Sequence, residues 1–158
     1  MGAAKANLSE ASVILICMDE ISKHDRSGRL YVRSREEPYV FQGMLELLRK
    51  MEEFYDLLDY PQASMSSRSL NPSSGKKESK KPDSFRKARK REQTVVLKEE
   101  DMKKNRGREA TFLVRVRYRQ SASWQGHVTW MEQDKMMTFH STLELVKIMD
   151  SALGDGGI

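Results

Sequence analysis

Arg115, Arg117 and Arg119 stand at alternate positions, and Trp124 follows five residues later. In extended backbone, alternate residues project from one face, so this spacing puts three cations on one face of a strand. Like charges in such a row repel unless acids or an anion lie opposite. Arginine beside an aromatic ring is also the pairing that neutralises phosphates and stacks on the bases of a single-stranded nucleic acid. A plainer account uses the same residues: Trp124 folds over the sheet edge, and the arginines are solvated or pair with Glu132 and Asp134. Because exposed arginines are ordinary on a solvent-facing sheet, the plainer account is the preferred one for the strand. A second basic cluster comprises Arg86, Lys87, Arg89, Lys90 and Arg91. Such density suits displacement of counterions from phosphates, but a solvated tether that must stay extended is the preferred reading, and an acidic protein partner is a third. These nine residues form the candidate nucleic-acid-binding set.

Little else has the spacing of a reactive site. Of the three histidines, His24 lies in a polar turn, His127 follows a turn glycine and His140 stands beside a helix start. None is four residues from another, and neither H-E-x-x-H nor C-x-x-C occurs, so no metal site is expected. Gly154-Asp155-Gly156-Gly157 follows no strand and is not a phosphate loop. Glu46 and Glu144 resemble a carboxylate pair, but each falls in a first helical turn, where the macrodipole and the cap favour an acid. The single cysteine, Cys17, excludes an intramolecular disulfide and lies in an apolar strand, as a buried thiol would. Val13–Cys17 is too short for a membrane span or a signal core. Met1–Ala6 lacks the Ser or Thr of a myristoylation signal. No cofactor and no membrane contact are implied, and a cytoplasmic protein is expected.

The elements that must position these residues come from an internal repeat. Residues 28–52 and 126–150 align without a gap. Gly28/Gly126, Phe41/Phe139, Leu45/Leu143, Glu46/Glu144, Leu47/Leu145 and Met51/Met149 are identical pairs. Upstream, Ile14, Leu15, Ile16 and Met18 fall opposite Phe112, Leu113, Val114 and Val116. Self-similarity of this kind marks a repeated structural unit. In the second copy, Phe112, Val114, Val116 and Tyr118 alternate with arginines, the period-two pattern of a strand with one dry face. His127–Trp130 is expected to return antiparallel, and Met137 and Phe139 to make a short third strand. Ser141 and Glu144 have the spacing of a capping box, and Leu145, Val146, Met149, Ala152 and Leu153 form one helical stripe. The first copy repeats the plan with Val13–Met18, Arg29–Arg33, and Tyr39 and Phe41 as strands. Gly43 stands at its cap, and its stripe is Met44, Leu47, Leu48, Met51, Phe54, Tyr55 and Leu58. This helix ends near Asp59-Tyr60-Pro61, because the residue before proline avoids helical backbone.

The expected fold is therefore α+β: two βββα units, residues 11–62 and 109–154, packed together and joined by a basic, partly disordered insert at 63–108. Units of about 50 residues bury too little to be stable alone, so a shared core is expected. Charge follows the same division. Residues 68–108 hold 15 Lys and Arg against 6 Asp and Glu, leaving 13 against 17 in the remainder. Tyr118-Arg119-Gln120-Ser121-Ala122-Ser123-Trp124-Gln125-Gly126, and Phe139 through Leu145, resemble an uncharacterised family of small bacterial proteins. That family has an R-Q-x-A-S-W-Q-G turn and an F-x-S-x-L-E-L helix start. Asp59-Tyr60-Pro61-Gln62-Ala63-Ser64 resembles a further part of its pattern, and His140 departs from it where an arginine is expected. The resemblance implies the two-part architecture and carries no activity. The functional expectation is a non-enzymatic binding or regulatory protein with nucleic acid as partner. A protein–protein adaptor using the sheet face or edge is the alternative, and an enzyme of unfamiliar type is third. The oligomeric state is left open.

Overall fold

The computed structural model describes residues 4–22, 25–61, 92–119 and 123–154. Their elements begin with β1 (Ala4–Asn7), α1 (Leu8–Ala11), β2 (Ile14–Ile21), β3 (Arg26–Val32), β4 (Tyr39–Gln42) and α2 (Met44–Leu58). There follow β5 (Glu92–Val95), α3 (Glu99–Met102), β6 (Ala110–Tyr118), β7 (Gln125–Trp130), β8 (Lys135–Phe139) and α4 (Thr142–Gly154). The fold is α+β, as expected. Six strands form one antiparallel sheet in the order β4-β3-β2-β6-β7-β8, while β1 and β5 make a separate two-stranded ribbon. Strand, strand, strand, helix thus occurs as β2-β3-β4-α2 and as β6-β7-β8-α4. The halves meet where β2 pairs β6, with Leu15 directly opposite Leu113 and with Ile14 and Ile16 opposite Val114 and Phe112.

Alternation decides what this sheet buries. Ile14, Ile16 and Met18 of β2 turn to the same side as Phe112, Val114 and Val116 of β6. There they join Leu47, Met51 and Tyr55 of α2 and Leu145, Met149 and Leu153 of α4 in one continuous core. Full burial of side chains this large stabilises by about 1.5–3 kcal/mol each, which explains why both helices lie on this face. The glycine pair has one steric cause in both halves. A Cβ added at Gly28 would lie 1.9 Å from the Cys17 carbonyl oxygen, and one at Gly126 would lie 1.9 Å from that of Arg115.

Two expectations need correction. The sheet has no wet face across its centre, because Val13, Leu15, Cys17, Tyr31 and Leu113 form a second buried cluster with Met102 of α3. The run Val13–Met18 is apolar at both parities, and a strand apolar on both faces needs two covers. Residues 92–109 supply the second cover. The Arg33 carbonyl accepts the Val96 and Leu97 amides at 2.9 and 3.1 Å, and Arg33 Nε donates to the Leu97 carbonyl at 3.0 Å. The covering segment is held further along by Arg29, which donates to both oxygens of Asp19 at 2.9 and 3.2 Å and to the Arg106 carbonyl at 2.8 Å. The Arg108 amide also donates to Asp19 at 3.1 Å. Burial pushes the Asp19 carboxyl up, but the bonds from Arg29 and Arg108 outweigh it and hold Asp19 below the usual carboxylate range.

The second correction concerns the helix starts. Ser141 Oγ accepts the Glu144 amide at 3.0 Å, but the Glu144 carboxylate takes the His140 amide, at 3.3 Å, and not that of Ser141. Gly43 has φ 104° and no side chain to cap with. Asp25 acts in its place, accepting the Met44 amide at 2.8 Å and the Arg26 amide at 2.9 Å. Those two amides hold the Asp25 carboxyl below its usual range.

Candidate nucleic-acid interface

The arginine row does not share one face. Along β6 the pairing with β7 runs Arg115↔His127, Val116↔Gly126, then Tyr118↔Gln125, so Arg117 is an extra residue in a bulge. Such an insertion breaks the alternation, and the residues beyond it change sides. The first half carries the same irregularity, with Met18↔Gly28 followed by Glu20↔Ser27 and Asp19 as the extra residue.

Each arginine accordingly has a different fate. Arg115 is half-buried and ion-paired to Glu99 of α3, which Lys103 also holds at 3.3 Å. Burial pushes the Glu99 carboxyl up, but Arg115 and Lys103 overcome it and lower it. Neither Glu132 nor Asp134 is the partner of Arg115. Glu132 instead accepts the Thr111 amide at 2.6 Å and lies 3.8 Å from Arg106. Arg117 is exposed and makes no hydrogen bond or ion pair with another described residue. Arg119 is only 4% exposed. Its Nη1 donates to Asp56 Oδ1 at 2.8 Å, its Nε donates to the Pro61 carbonyl, and its guanidinium lies 5.6 Å from the Tyr55 ring centroid.

Trp124 is 6% exposed and meets the Tyr55 ring edge-to-face, with centroids 5.7 Å apart and planes at 83°. Base stacking needs a free ring face, and this one is covered. Tyr55 is itself fully buried, and burial pushes its phenol up. Asp56, Pro61, Arg119 and Trp124 thus form one junction, in which the end of α2 meets the β6–β7 connection.

Sequence reasoning missed Tyr118. Continued alternation would place it in the core, yet beyond the bulge it is 54% exposed, directly after Arg117. No residue type between Val116 and Tyr118 marks a bulge. The available signal was the glycine opposite, whose missing side chain permits the close approach. Arg86, Lys87, Arg89, Lys90 and Arg91 lie outside the described residues, as does His24.

His127 Nδ1 is 3.2 Å from Thr138 Oγ1, and His140 Nδ1 is 3.5 Å from Glu144. Cys17 is buried, and desolvation pushes its thiol up to about 11, far from the thiolate that nucleophilic chemistry requires. Among the described residues no group of three or more His, Cys, Asp and Glu could hold a metal ion. Among the same residues no helix is long and apolar enough to cross a membrane. No family model, curated protein or solved structure matches this chain.

Proposed function

We propose that this chain is a non-enzymatic nucleic-acid-binding protein whose principal contact is residues 62–91. Its body would be two duplicated βββα units joined across β2 and β6, and its place the cytoplasm. The observation that carries the reading is the segregation of charge. Residues 62–91 hold 10 of the 28 Lys and Arg but 2 of the 23 Asp and Glu, which leaves 18 against 21 elsewhere. Several of the body's cations are paired within it, Arg29 to Asp19, Arg115 to Glu99 and Arg119 to Asp56. The basic stretch has almost no acid of its own to pair with. It is tied at both ends, because Pro61 is held by Arg119 and β5 begins at Glu92 against β1.

Arg117 and Tyr118 deepen the reading. An exposed arginine with no partner among the described residues, beside an exposed aromatic, offers charge and a stacking surface on the body itself, the role that the spacing first suggested for the arginine row and Trp124. Titration with single- and double-stranded oligonucleotides at two salt concentrations tests the proposal. Saturable binding that weakens steeply with salt, and a Tyr118→Ala loss confined to single strands, are the expected results. No saturable binding at low salt refutes it and leaves the protein–protein adaptor.

A further inference from the structure

We infer that β8 pairs with β8 of a second copy of this chain, joining two six-stranded sheets into one continuous sheet. The inference concerns a different surface from the nucleic-acid reading and does not rest on it. Among the described residues, β8 has β7 on one side and no strand on the other. A free strand edge presents unpaired amides and carbonyls, and proteins normally protect it with proline, charge or a covering element.

The two edges of this sheet are treated differently. At the β4 edge, Pro38 precedes the first residue and can donate no ladder hydrogen bond. The Arg35 guanidinium stands 4.1 Å, and Lys50 Nζ 5.8 Å, from the Tyr39 ring centroid. The β8 edge has only Lys135, at its first position. Met136 and Met137 beside it are 67% and 54% exposed, and only Phe139 of the five is buried. Exposed methionines on an unprotected strand are an adaptable apolar surface.

Two features select a second copy as the occupant. Antiparallel pairing over the whole length of β8 centres on Met137, which then faces itself, with Lys135 opposite Phe139 and Met136 opposite Thr138. No charge meets a like charge in that register. The chain already uses this arrangement internally, since β2 and β6 pair antiparallel about Leu15 and Leu113 with both helices on one face. Although Val40 of β4 is 59% exposed, Pro38 and the cations over Tyr39 disfavour addition of β8 of one copy to β4 of the next. The contact therefore closes as a twofold dimer and does not propagate into fibres.

The test is sedimentation equilibrium of the full chain, with disulfide trapping. Wild-type protein is expected to show a concentration-dependent monomer–dimer equilibrium up to ~100 µM. Met137→Glu, which places two carboxylates opposite each other, is expected to leave only monomer with an unchanged thermal melt. Met137→Cys, oxidised with diamide, is expected to give a covalent dimer in high yield, because opposed residues of an antiparallel pair stand within disulfide reach. Cys17, buried and protonated, does not compete. A wild-type protein that stays monomeric overturns the inference, whether or not β8 captures a foreign peptide. A dimer that survives Met137→Glu, or a Met137→Cys dimer that fails to cross-link, also overturns it.

Discussion

Replacing Trp124 by alanine separates a packed ring from a base-stacking one. The ring is 6% exposed and meets Tyr55 edge-to-face at 5.7 Å. Deleting a buried aromatic of this size costs about 3–5 kcal/mol, of which roughly 0.5–1.5 kcal/mol belongs to the aromatic contact itself. In a chain of 158 residues, each kcal/mol lowers the melting temperature by about 2–4 °C, so Trp124→Ala should melt roughly 6–20 °C below wild type. Trp124→Phe keeps an aromatic edge near Tyr55 and should lose less than half as much. Thermal unfolding followed by circular dichroism reads the first effect. Titration of the folded protein with a single-stranded oligonucleotide, well below the transition, reads the second and should show unchanged affinity. A variant that melts like wild type yet binds single strands poorly would refute the packing account and return Trp124 to the interface.

Two further outcomes follow from the ion pairs. Asp56→Ala should cost about 1–3 kcal/mol in urea unfolding although Asp56 itself is largely exposed, because its partner Arg119 is buried and loses a charge-assisted bond; a change within about 0.5 kcal/mol, as for an ordinary surface site, contradicts this. Asp19 is depressed in the folded state, so its stabilisation is complete above the unfolded carboxylate value near about 4 and is lost as pH falls through the folded value. Asp19→Asn should therefore be less stable than wild type at neutral pH and should converge with it in acid. Parallel stability curves for the two proteins across that window would exclude the Asp19–Arg29 contact as the cause.

The helix-side core was legible because its signals are local. Alternation in β6 as far as Val116 and the stripes of α2 and α4 mark the buried side, and the repeated Phe41/Phe139, Leu47/Leu145 and Met51/Met149 pairs are all fully buried. The second cover was not legible. Residues 92–109 contain Lys98, Lys103, Lys104, Arg106 and Arg108, and their charge conceals that Met102 is buried and that Asp19 binds their backbone. The candidate site failed at one residue. A bulge at Arg117 sends Tyr118 outward and Arg119 inward, and a bulge is set by pairing between strands, which a single strand's pattern does not contain. The identical Leu45 and Leu143 are both exposed, and nothing in the structure explains their identity.

The most direct measurement of the central claim is the salt dependence of oligonucleotide binding by wild type and by a variant with Arg86, Lys87, Arg89, Lys90 and Arg91 all changed to glutamine. Each phosphate contact contributes about −0.7 to the slope of log K against log salt for a single strand and about −0.9 for a duplex. If all five cations reach phosphates, the variant's slope should be shallower by about 3.5 on single strands. Its affinity should fall similarly for every sequence tested, while its melting temperature stays unchanged. An identical slope and affinity in the two proteins would contradict the assignment of nucleic-acid binding to the basic stretch.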